Sequence, residues 1–317
     1  MAKKTTTNDV LDKNNPLSAL RAEIDGIDDK LLALLVERAK VVEKVGKVKA
    51  SMAPAEGKRS IIRPGREARM VRRMVKESDG KLPPTVVAHL WRTIISSAIN
   101  IEEHANISAV ATHENSECYW MAREYFGAFT PTTKRSSTME VVRDIVEERA
   151  TVGVLPVWDE ESPKPWWTRL VDTENPPYVF AKLPFIKLAP SKKSPMFSIG
   201  YVQPEATDDD HSLYVLLLEE TITFDSAKPH VEEILKVPFT VIEHYRQVGS
   251  PNMRYYLLDF EDYIDPKDAR LAACTDRLNK KYAKNANARL QFLGAYASPI
   301  VIGTEAGEEE APNVKAQ

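Results

Sequence analysis

Two cations interrupt the apolar stripe of a long helical pattern near the start of the sequence. Arg38 stands where the next apolar residue is due, and Lys49 follows eleven residues later, almost three helical turns or about 16 Å away. Because burying an unpaired cation costs several kcal/mol, we expect an anion to meet both side chains. The apolar residues of the stripe are Leu17, Leu20, Ile24, Ile27, Leu31, Leu35, Val42 and Val45.

Further charges occupy positions that local preferences disfavour. Arg66 falls in the first turn of a second helical pattern, beside Glu67, where a cation opposes the helix dipole. Glu102 flanks a third apolar stripe in its last turn, where a carboxylate also fits the dipole poorly, and Arg21 lies at the edge of the first stripe. Each charge alone is typical of a surface ion pair. Several inward cations with two carboxylates instead predict a pocket for a small dianion that carries hydroxyl or ether oxygens.

Three helices are needed to present these side chains. The first pattern predicts one helix from 16 to about 50, and Pro64 suits the first turn of the second helix. The third pattern ends near Glu103. One long and two shorter helices therefore predict an all-α domain over residues 15–104.

The rest of the chain predicts a multi-domain protein. Strands alternate with helical patterns in the region 105–210, which predicts a βαβαβ order and a parallel sheet. The Pro-rich stretch 160–195 is expected to be irregular. The region 211–300 has the order βαββαβ, which indicates a ferredoxin-like α+β domain. The first three strands are predicted at 107–112, 129–133 and 150–158.

Composition excludes several classes of protein. The 317 residues are 43% hydrophobic and have a formal net charge of -3 with mixed signs, so no basic surface for nucleic acid is expected. The sequence lacks a membrane-spanning run and a signal-peptide core, which predicts no membrane association and a cytoplasmic location. Cys118 and Cys274 lack metal-ligand spacing, so reduced thiols and no metal site are expected. The polar ends, 1–14 and 301–317, are predicted to be disordered.

The predicted helical domain resembles a known enzyme family. The segments NPLSALRAEIDGIDDKLLALLVERAKVVEKVGKVK, RPGRE and LWRTIISSAINIEE resemble the three helices of the AroQ-type chorismate mutases. The resemblance implies an intertwined homodimer whose substrate is chorismate. It also implies the Claisen rearrangement of chorismate to prephenate, a step of phenylalanine and tyrosine biosynthesis that needs no cofactor.

The same resemblance implies a role for each charged residue. Arg21 would reach the active site of the partner subunit. Arg38 and Arg66 would bind the two carboxylates of chorismate. Lys49 would donate a hydrogen bond to the ether oxygen as the C–O bond breaks, and Glu67 would accept one from the ring hydroxyl.

Two positions depart from the family pattern. Many bacterial members carry Gln where Glu102 stands as a catalytic residue, and a glutamate can donate to the ether oxygen only when it is protonated. We therefore expect activity to fall as the pH rises above neutral. Arg63 occupies a place often held by an acidic residue, and we assign it to substrate binding through its backbone. The loop 51–62 is longer than in minimal members, and its segment AEGKRS is either a solvated connection or a lid.

The C-terminal regions resemble parts of another enzyme. The segment REYFGAFTPTTKRSSTMEVVRDIVEERATVGVLP resembles the first lobe of prephenate dehydratases, and residues 212–298 resemble their ACT regulatory domain. Dehydratases need a Thr-Arg-Phe motif, but Pro195, Met196 and Phe197 stand in its place. We therefore predict a degenerate, non-catalytic dehydratase-like region. The phenylalanine-binding motifs of the ACT domain are also replaced, whereas a dimerising role stays open.

Three functions follow as alternatives. A chorismate mutase without dehydratase activity agrees with all of the charged residues. A bifunctional chorismate mutase and prephenate dehydratase would require a dehydrating group that the sequence does not offer. A non-catalytic helical dimerisation module would leave Arg38 and Lys49 unexplained on an apolar face.

Overall fold

The computed structural model describes residues 16–51, 62–102, 105–159, 162–171, 173–189, 193–219, 221–249, 252–282 and 287–303. The helices are α1 (Pro16–Ser51), α2 (Pro64–Glu77), α3 (Pro84–Glu102), α4 (Glu117–Phe126), α5 (Thr138–Val146), α6 (Thr168–Val171), α7 (Phe224–Leu235) and α8 (Ala269–Lys281). The strands are β1 (Ile107–Val110), β2 (Thr132–Arg135), β3 (Val152–Pro156), β4 (Tyr178–Leu183), β5 (Ile186–Leu188), β6 (Met196–Gly200), β7 (Asp210–Glu219), β8 (Phe239–Gln247), β9 (Met253–Phe260), β10 (Arg289–Ala297) and β11 (Ile300–Ile302). Across the described helices, none has the length and apolar content that a membrane span requires.

Some predicted segments lie outside the described residues. These are the N-terminal segment 1–14, the AEGKRS loop and the tail from 304 onwards. The tail was predicted to begin at 301, but Ile300–Ile302 form β11, which pairs in parallel with β5. The boundary of the predicted tail is therefore wrong by a few residues, because a short apolar strand immediately precedes the acidic sequence.

The α1 helix belongs to a compact unit of its own, residues 1–53. It is one continuous helix, as its apolar period predicts. Seven of the eight residues in its predicted apolar stripe are between 40% and 56% exposed, Val42 being the exception. Leucine and isoleucine side chains exposed in a continuous row are typical of a surface that binds another protein surface.

The second compact unit, residues 54–317, is built on a nine-stranded sheet. The strand order is β2-β1-β3-β6-β4-β10-β7-β9-β8. β1 pairs in parallel with β2 and β3, as the βαβαβ pattern predicts. The strands β10, β7, β9 and β8 are antiparallel neighbours and, with α7 and α8, they complete the predicted βαββαβ order.

The prediction that the stretch 160–195 is irregular is wrong in part. The stretch contains α6 and two strands, β4 and β5. β4 lies inside the sheet between β6 and β10, and four of its six residues are buried. The prolines on either side of this strand hid it, because Pro is a strong turn signal even where it only marks the two ends of a strand.

Helices α2 and α3 pack on the sheet together with α4. Ala68 and Val71 of α2 share one buried core with Ile95 of α3 and with Met121 of α4. The compact unit that contains α2 and α3 therefore also contains the sheet, whereas the sequence grouped these helices with α1 over 15–104. The domain boundaries themselves stay predictions.

Arg72 fastens α2 to the ends of the sheet strands. Its guanidinium donates to Thr207 Oγ1 at 3.0 Å and to the carbonyl oxygens of Asp209 and Ser298 at 2.9 and 2.7 Å. Carbonyl groups near the ends of β7 and β10 thereby gain partners. The orientation of α2 over the sheet is consequently fixed by hydrogen bonds as well as by apolar packing.

A close approach of β4 and β10 joins the regions 105–210 and 211–300 into one sheet. Gly294 of β10 pairs with Val179 of β4 and has a φ of +152°. A Cβ atom on Gly294 would overlap the backbone of Val179. Only glycine fits here without moving one strand away from the other.

We predict that Gly294→Ala lowers the free energy of unfolding by about 3 kcal/mol, because the methyl group clashes with backbone and the φ is unfavourable for alanine. Urea unfolding at pH 7 measures the change. Gly249→Ala is the control, since nothing lies within 4 Å of its added Cβ atom. Equal stability of the two variants would contradict the requirement for glycine at the close approach of β4 and β10.

Candidate active site

The α1 helix presents Arg38 and Lys49 on one face. Because α1 runs without interruption from Pro16 to Ser51, the sequence estimate of about 16 Å between the two positions holds. Both side chains are half-buried, whereas Arg21 is exposed. That an anion meets these two cations stays a prediction of the sequence.

The start of α2 holds three more predicted residues. Arg63 is the N-cap, and its guanidinium donates to Glu205 Oε1, from Nη2 at 2.6 Å and from Nε at 3.1 Å. Its backbone N–H donates to Glu67 Oε1 at 3.2 Å. Arg66 is exposed. The Arg63 side chain is thus paired with Glu205, and the role of its backbone in substrate binding stays a prediction.

Glu67 is buried and paired with a residue that the sequence reasoning missed. Its side chain is 8% exposed, and Oε2 accepts a hydrogen bond from Arg92 Nη1 at 2.7 Å. Arg92 lies on α3, and its side chain is 4% exposed. A carboxylate and a guanidinium at this depth form a charge-assisted hydrogen bond that is shielded from solvent.

Arg92 is held on its other side by α4. Its Nε donates to the carbonyl oxygen of Tyr125 at 2.8 Å, and its guanidinium lies 3.9 Å from the centre of the Tyr125 ring. Burial lowers the pKa of Arg92, but Tyr125 and the Glu67 carboxylate outweigh it, and the pKa is raised. Burial also raises the pKa of Tyr125. The group is therefore a charged guanidinium between one carboxylate and one neutral phenol.

The sequence did contain a signal for Arg92. Ala88, Arg92, Ile95 and Ile99 follow each other at helical spacing on the buried face of α3. A cation in such a row is the same anomaly that singled out Arg38. Glu102, the remaining predicted residue, is the last residue of α3.

The structure brings Arg63 and Glu67 together at the start of α2. Arg21, Arg38 and Lys49 share α1. Their arrangement around α2 and α3 stays a prediction of the sequence. What the geometry offers is a helix with two half-buried cations, and a second pair of helices that fixes a buried carboxylate.

Comparison with known families identifies this region. Residues 20–103 match the family model of chorismate mutase type II. The N-terminal region is a chorismate mutase type II domain. The match includes α2, α3 and all but the first turn of α1, and every predicted site residue lies inside it. The resemblance stated from the sequence is thereby confirmed for this part of the chain.

Curated relatives combine this domain with a second enzyme. The chain is 32% identical over 142 residues to the bifunctional chorismate mutase/prephenate dehydratase of Pseudomonas aeruginosa, and 30% identical over 141 residues to that of Stutzerimonas stutzeri. Each match covers 44% of this chain and 38% of the relative. The prephenate dehydratase structure from Streptococcus mutans matches 62% of this chain and 100% of its own, at 12% identity and a TM-score of 0.44.

A cavity of about 410 Å³ lies beyond the chorismate mutase domain, at the carboxyl ends of β1 and β3. Pro195 and Met196, which stand in place of the dehydratase motif, line it. Its polar lining consists of Thr112, Asn115, Glu117, Asp159 and Ser194, and no cation lines it among the described residues. The described lining therefore offers no opposite charge to an anionic ligand.

The thiol of Cys118 lines this cavity and has a raised pKa. Burial raises its pKa to about 12, and the carboxylates of Glu117 and Asp159 add to the rise. Cys118 is consequently a protonated thiol without nucleophilic character at neutral pH. Burial likewise raises the pKa of Cys274 to about 11. Both cysteines are free and buried.

A second polar cluster joins four strands of the sheet. Asp259 of β9 accepts hydrogen bonds from Tyr296 Oη at 2.6 Å and from Lys182 Nζ at 3.3 Å. Its other oxygen lies 3.0 Å from His211 Nδ1, and the His211 ring stacks on the Tyr296 ring. Lys182 and Asp259 bring charges from the two regions of the sheet together. The cluster therefore connects β4 with β7, β9 and β10 by side chains.

The electrostatics of Asp259 follow from this cluster. Burial raises its pKa, but the hydrogen bond from His211, the charge of Lys182 and the Tyr296 hydroxyl outweigh burial, and the pKa of Asp259 is lowered. A lowered pKa in the folded state means that the carboxylate stabilises the fold fully above the unfolded pKa of about 3.9. This contribution is lost as the pH falls through the folded pKa.

We predict that Asp259→Asn lowers the free energy of unfolding by about 2 kcal/mol at pH 7, because Lys182 and His211 lose a carboxylate. The difference from wild type should shrink as the pH falls from the unfolded pKa of about 3.9 through the lowered pKa of Asp259 in the folded protein. Urea unfolding between pH 3 and pH 7 measures it. Asp276→Asn, at an exposed position of α8, is the control. A difference that does not change with pH would refute the stabilising role of the Asp259 carboxylate.

Proposed function

We propose that this protein is a chorismate mutase that converts chorismate to prephenate and releases it. The match of residues 20–103 to chorismate mutase type II is the observation that carries the proposal. The half-buried cations of α1 and the fixed carboxylate of α2 support it, because they suit a dianion with a ring hydroxyl. The chain covers 38% of the length of the two bifunctional relatives described above, so their complete activity is not transferred to it.

The proposed mechanism needs no nucleophile, metal ion or cofactor. The rearrangement is pericyclic, so the protein has to hold chorismate in a compact chair conformer and stabilise negative charge on the ether oxygen. We assign carboxylate binding to Arg38 and Arg66. Lys49 donates to the ether oxygen, and Glu67 accepts a hydrogen bond from the ring hydroxyl.

Three further residues complete the proposed site. Glu102 in its protonated form is the second donor to the ether oxygen. Arg63 contributes its backbone, whose N–H donates to the Glu67 carboxylate. Arg21 comes from a second copy of the chain, as the resemblance implies.

The surface of α1 supports a homodimer. Its predicted apolar stripe is exposed over most of its length, and burying one leucine or isoleucine fully is worth about 1.5–3 kcal/mol. A row of such residues, from Leu17 to Val45, supplies enough apolar surface for a stable interface. We propose that a second copy covers it.

The proposed activity stops at prephenate because the dehydratase-like region lacks suitable chemistry. Prephenate carries two carboxylates, whereas the cavity at β1 and β3 is lined by Glu117 and Asp159 and by no described cation. The two carboxylates of prephenate and the two side-chain carboxylates carry the same charge, so they repel each other in a poorly solvated cavity. We further propose that the region 211–300 is an ACT-like structural domain. The bifunctional alternative remains distinguishable by its product.

We predict that purified wild type consumes chorismate and that Lys49→Ala lowers kcat about 10²- to 10³-fold, since one donor to the developing oxyanion is lost. Absorbance follows chorismate loss. The control is Lys47→Ala, which is exposed and lies on the opposite face of α1.

Phenylpyruvate is measured before and after acid treatment in the same samples. Its appearance only after acid identifies a mutase that releases prephenate, whereas its appearance before acid identifies the bifunctional enzyme. Absence of chorismate loss in wild type refutes the proposed activity.

We predict that Glu102→Gln flattens the pH profile of kcat, because an amide donates at every pH whereas a glutamate donates only when protonated. Wild-type activity should decline above neutral pH, and the Gln variant should retain it. Steady-state rates between pH 5 and pH 9 provide the comparison. Identical profiles would remove Glu102 from the donor role.

A further inference from the structure

Glu67 is fixed by two donors on different elements. The backbone N–H of Arg63 holds Oε1 from the start of α2, and Arg92 Nη1 holds Oε2 from α3. Each carboxylate oxygen can accept a second hydrogen bond. The carboxylate therefore has a fixed orientation and still has capacity to accept a hydroxyl group.

Arg92 itself is fixed by the α/β part of the chain. Its Nε donates to the carbonyl oxygen of Tyr125, and its guanidinium stacks on the Tyr125 ring. Tyr125 lies in α4, which packs in the same core as β1 and β3. The chain of contacts Glu67–Arg92–Tyr125 thus runs from α2 through α3 into the sheet region.

Stability alone is a poor reason for this buried pair. Removing two charges from water costs several kcal/mol per ion, and well-packed apolar residues of similar volume often serve stability equally well. Arg92 Nη2 adds to the cost, because it is buried without a hydrogen-bond acceptor among the described residues. A guanidinium has a planar set of N–H donors that orients a carboxylate, and an apolar side chain has none.

We propose that Arg92 is a positioning residue of the mutase reaction, which orients Glu67 toward the ring hydroxyl of chorismate and uses α4 as its support. The inference rests on the proposed function, because it assigns Glu67 its role there. The α/β region is then a structural part of the mutase site. Arg92 itself acts only through Glu67.

The test separates positioning from folding. Arg92→Gln keeps a hydrogen-bonding group but loses the charge and the fork, so we expect kcat to fall about 10- to 100-fold through misplacement of Glu67. KM should change less than about 3-fold, because Arg38 and Arg66 still bind the two substrate carboxylates. Arg92→Lys keeps the charge but cannot reach both acceptors. It should lie about 3- to 10-fold below wild type in kcat.

A matched control comes from the same face of the sheet. Arg72→Gln also removes a guanidinium that fastens α2 to the α/β region, but Arg72 donates to Thr207, Asp209 and Ser298 and not to Glu67. We expect this variant to melt at a lower temperature with wild-type kcat. A kcat loss in Arg72→Gln equal to that in Arg92→Gln would overturn the positioning role.

A double-mutant cycle supplies the decisive readout. In a Glu67→Gln background, the substitution Arg92→Gln should cause no further loss of kcat, because its effect passes through Glu67. Additive losses would overturn the inference. If Arg92→Gln does not fold, Arg92→Lys decides, and wild-type kcat in that variant would overturn it. A wild-type protein without turnover overturns the proposed function instead, and the inference with it.

Discussion

A buried guanidinium imposes strict demands on the structure around it. Arg92 lies in an otherwise apolar core, so its charge needs a carboxylate and its N–H groups need acceptors. Glu67 of α2 and the carbonyl of Tyr125 on α4 meet these demands. Three helices are consequently held in one relative arrangement, and the N-terminus of α2 has a defined position over the sheet.

The sheet depends on a different constraint, the close approach of β4 and β10. Gly294 lets the two backbones meet, and the side chains around Asp259 connect the same strands on one face. Two regions that look like separate domains in the sequence are thereby continuous through one set of strands. Movement of one region relative to the other would have to break these contacts between β4 and β10.

The distribution of charge separates two potential sites. Arg38, Lys49 and Arg66 place positive charge on the helices of the chorismate mutase domain, whereas Glu117 and Asp159 make the cavity of the sheet negative. The proposed mutase site is the one of the two whose charge suits an anionic substrate. This contrast is the physical basis for proposing one activity rather than two.

The sequence by itself determined the local elements and the unusual charges. Apolar periodicity predicted α1, α2 and α3 to within a few residues, because each helix has an apolar stripe and Pro64 marks a helix start. Arg38 and Lys49 were recognisable because a cation in such a stripe is anomalous whatever the rest of the fold does.

Tertiary structure alone decided which partners meet. The pairing of β4 with β10, the strand hidden between prolines and the contact of Arg92 with Glu67 and Tyr125 all join residues far apart in the chain. Periodicity reports which face of an element is buried, but it does not report what lies opposite that face. Arg92 was missed in the sequence for this reason, and only the packing of α2 against α3 and α4 shows that its anion is Glu67.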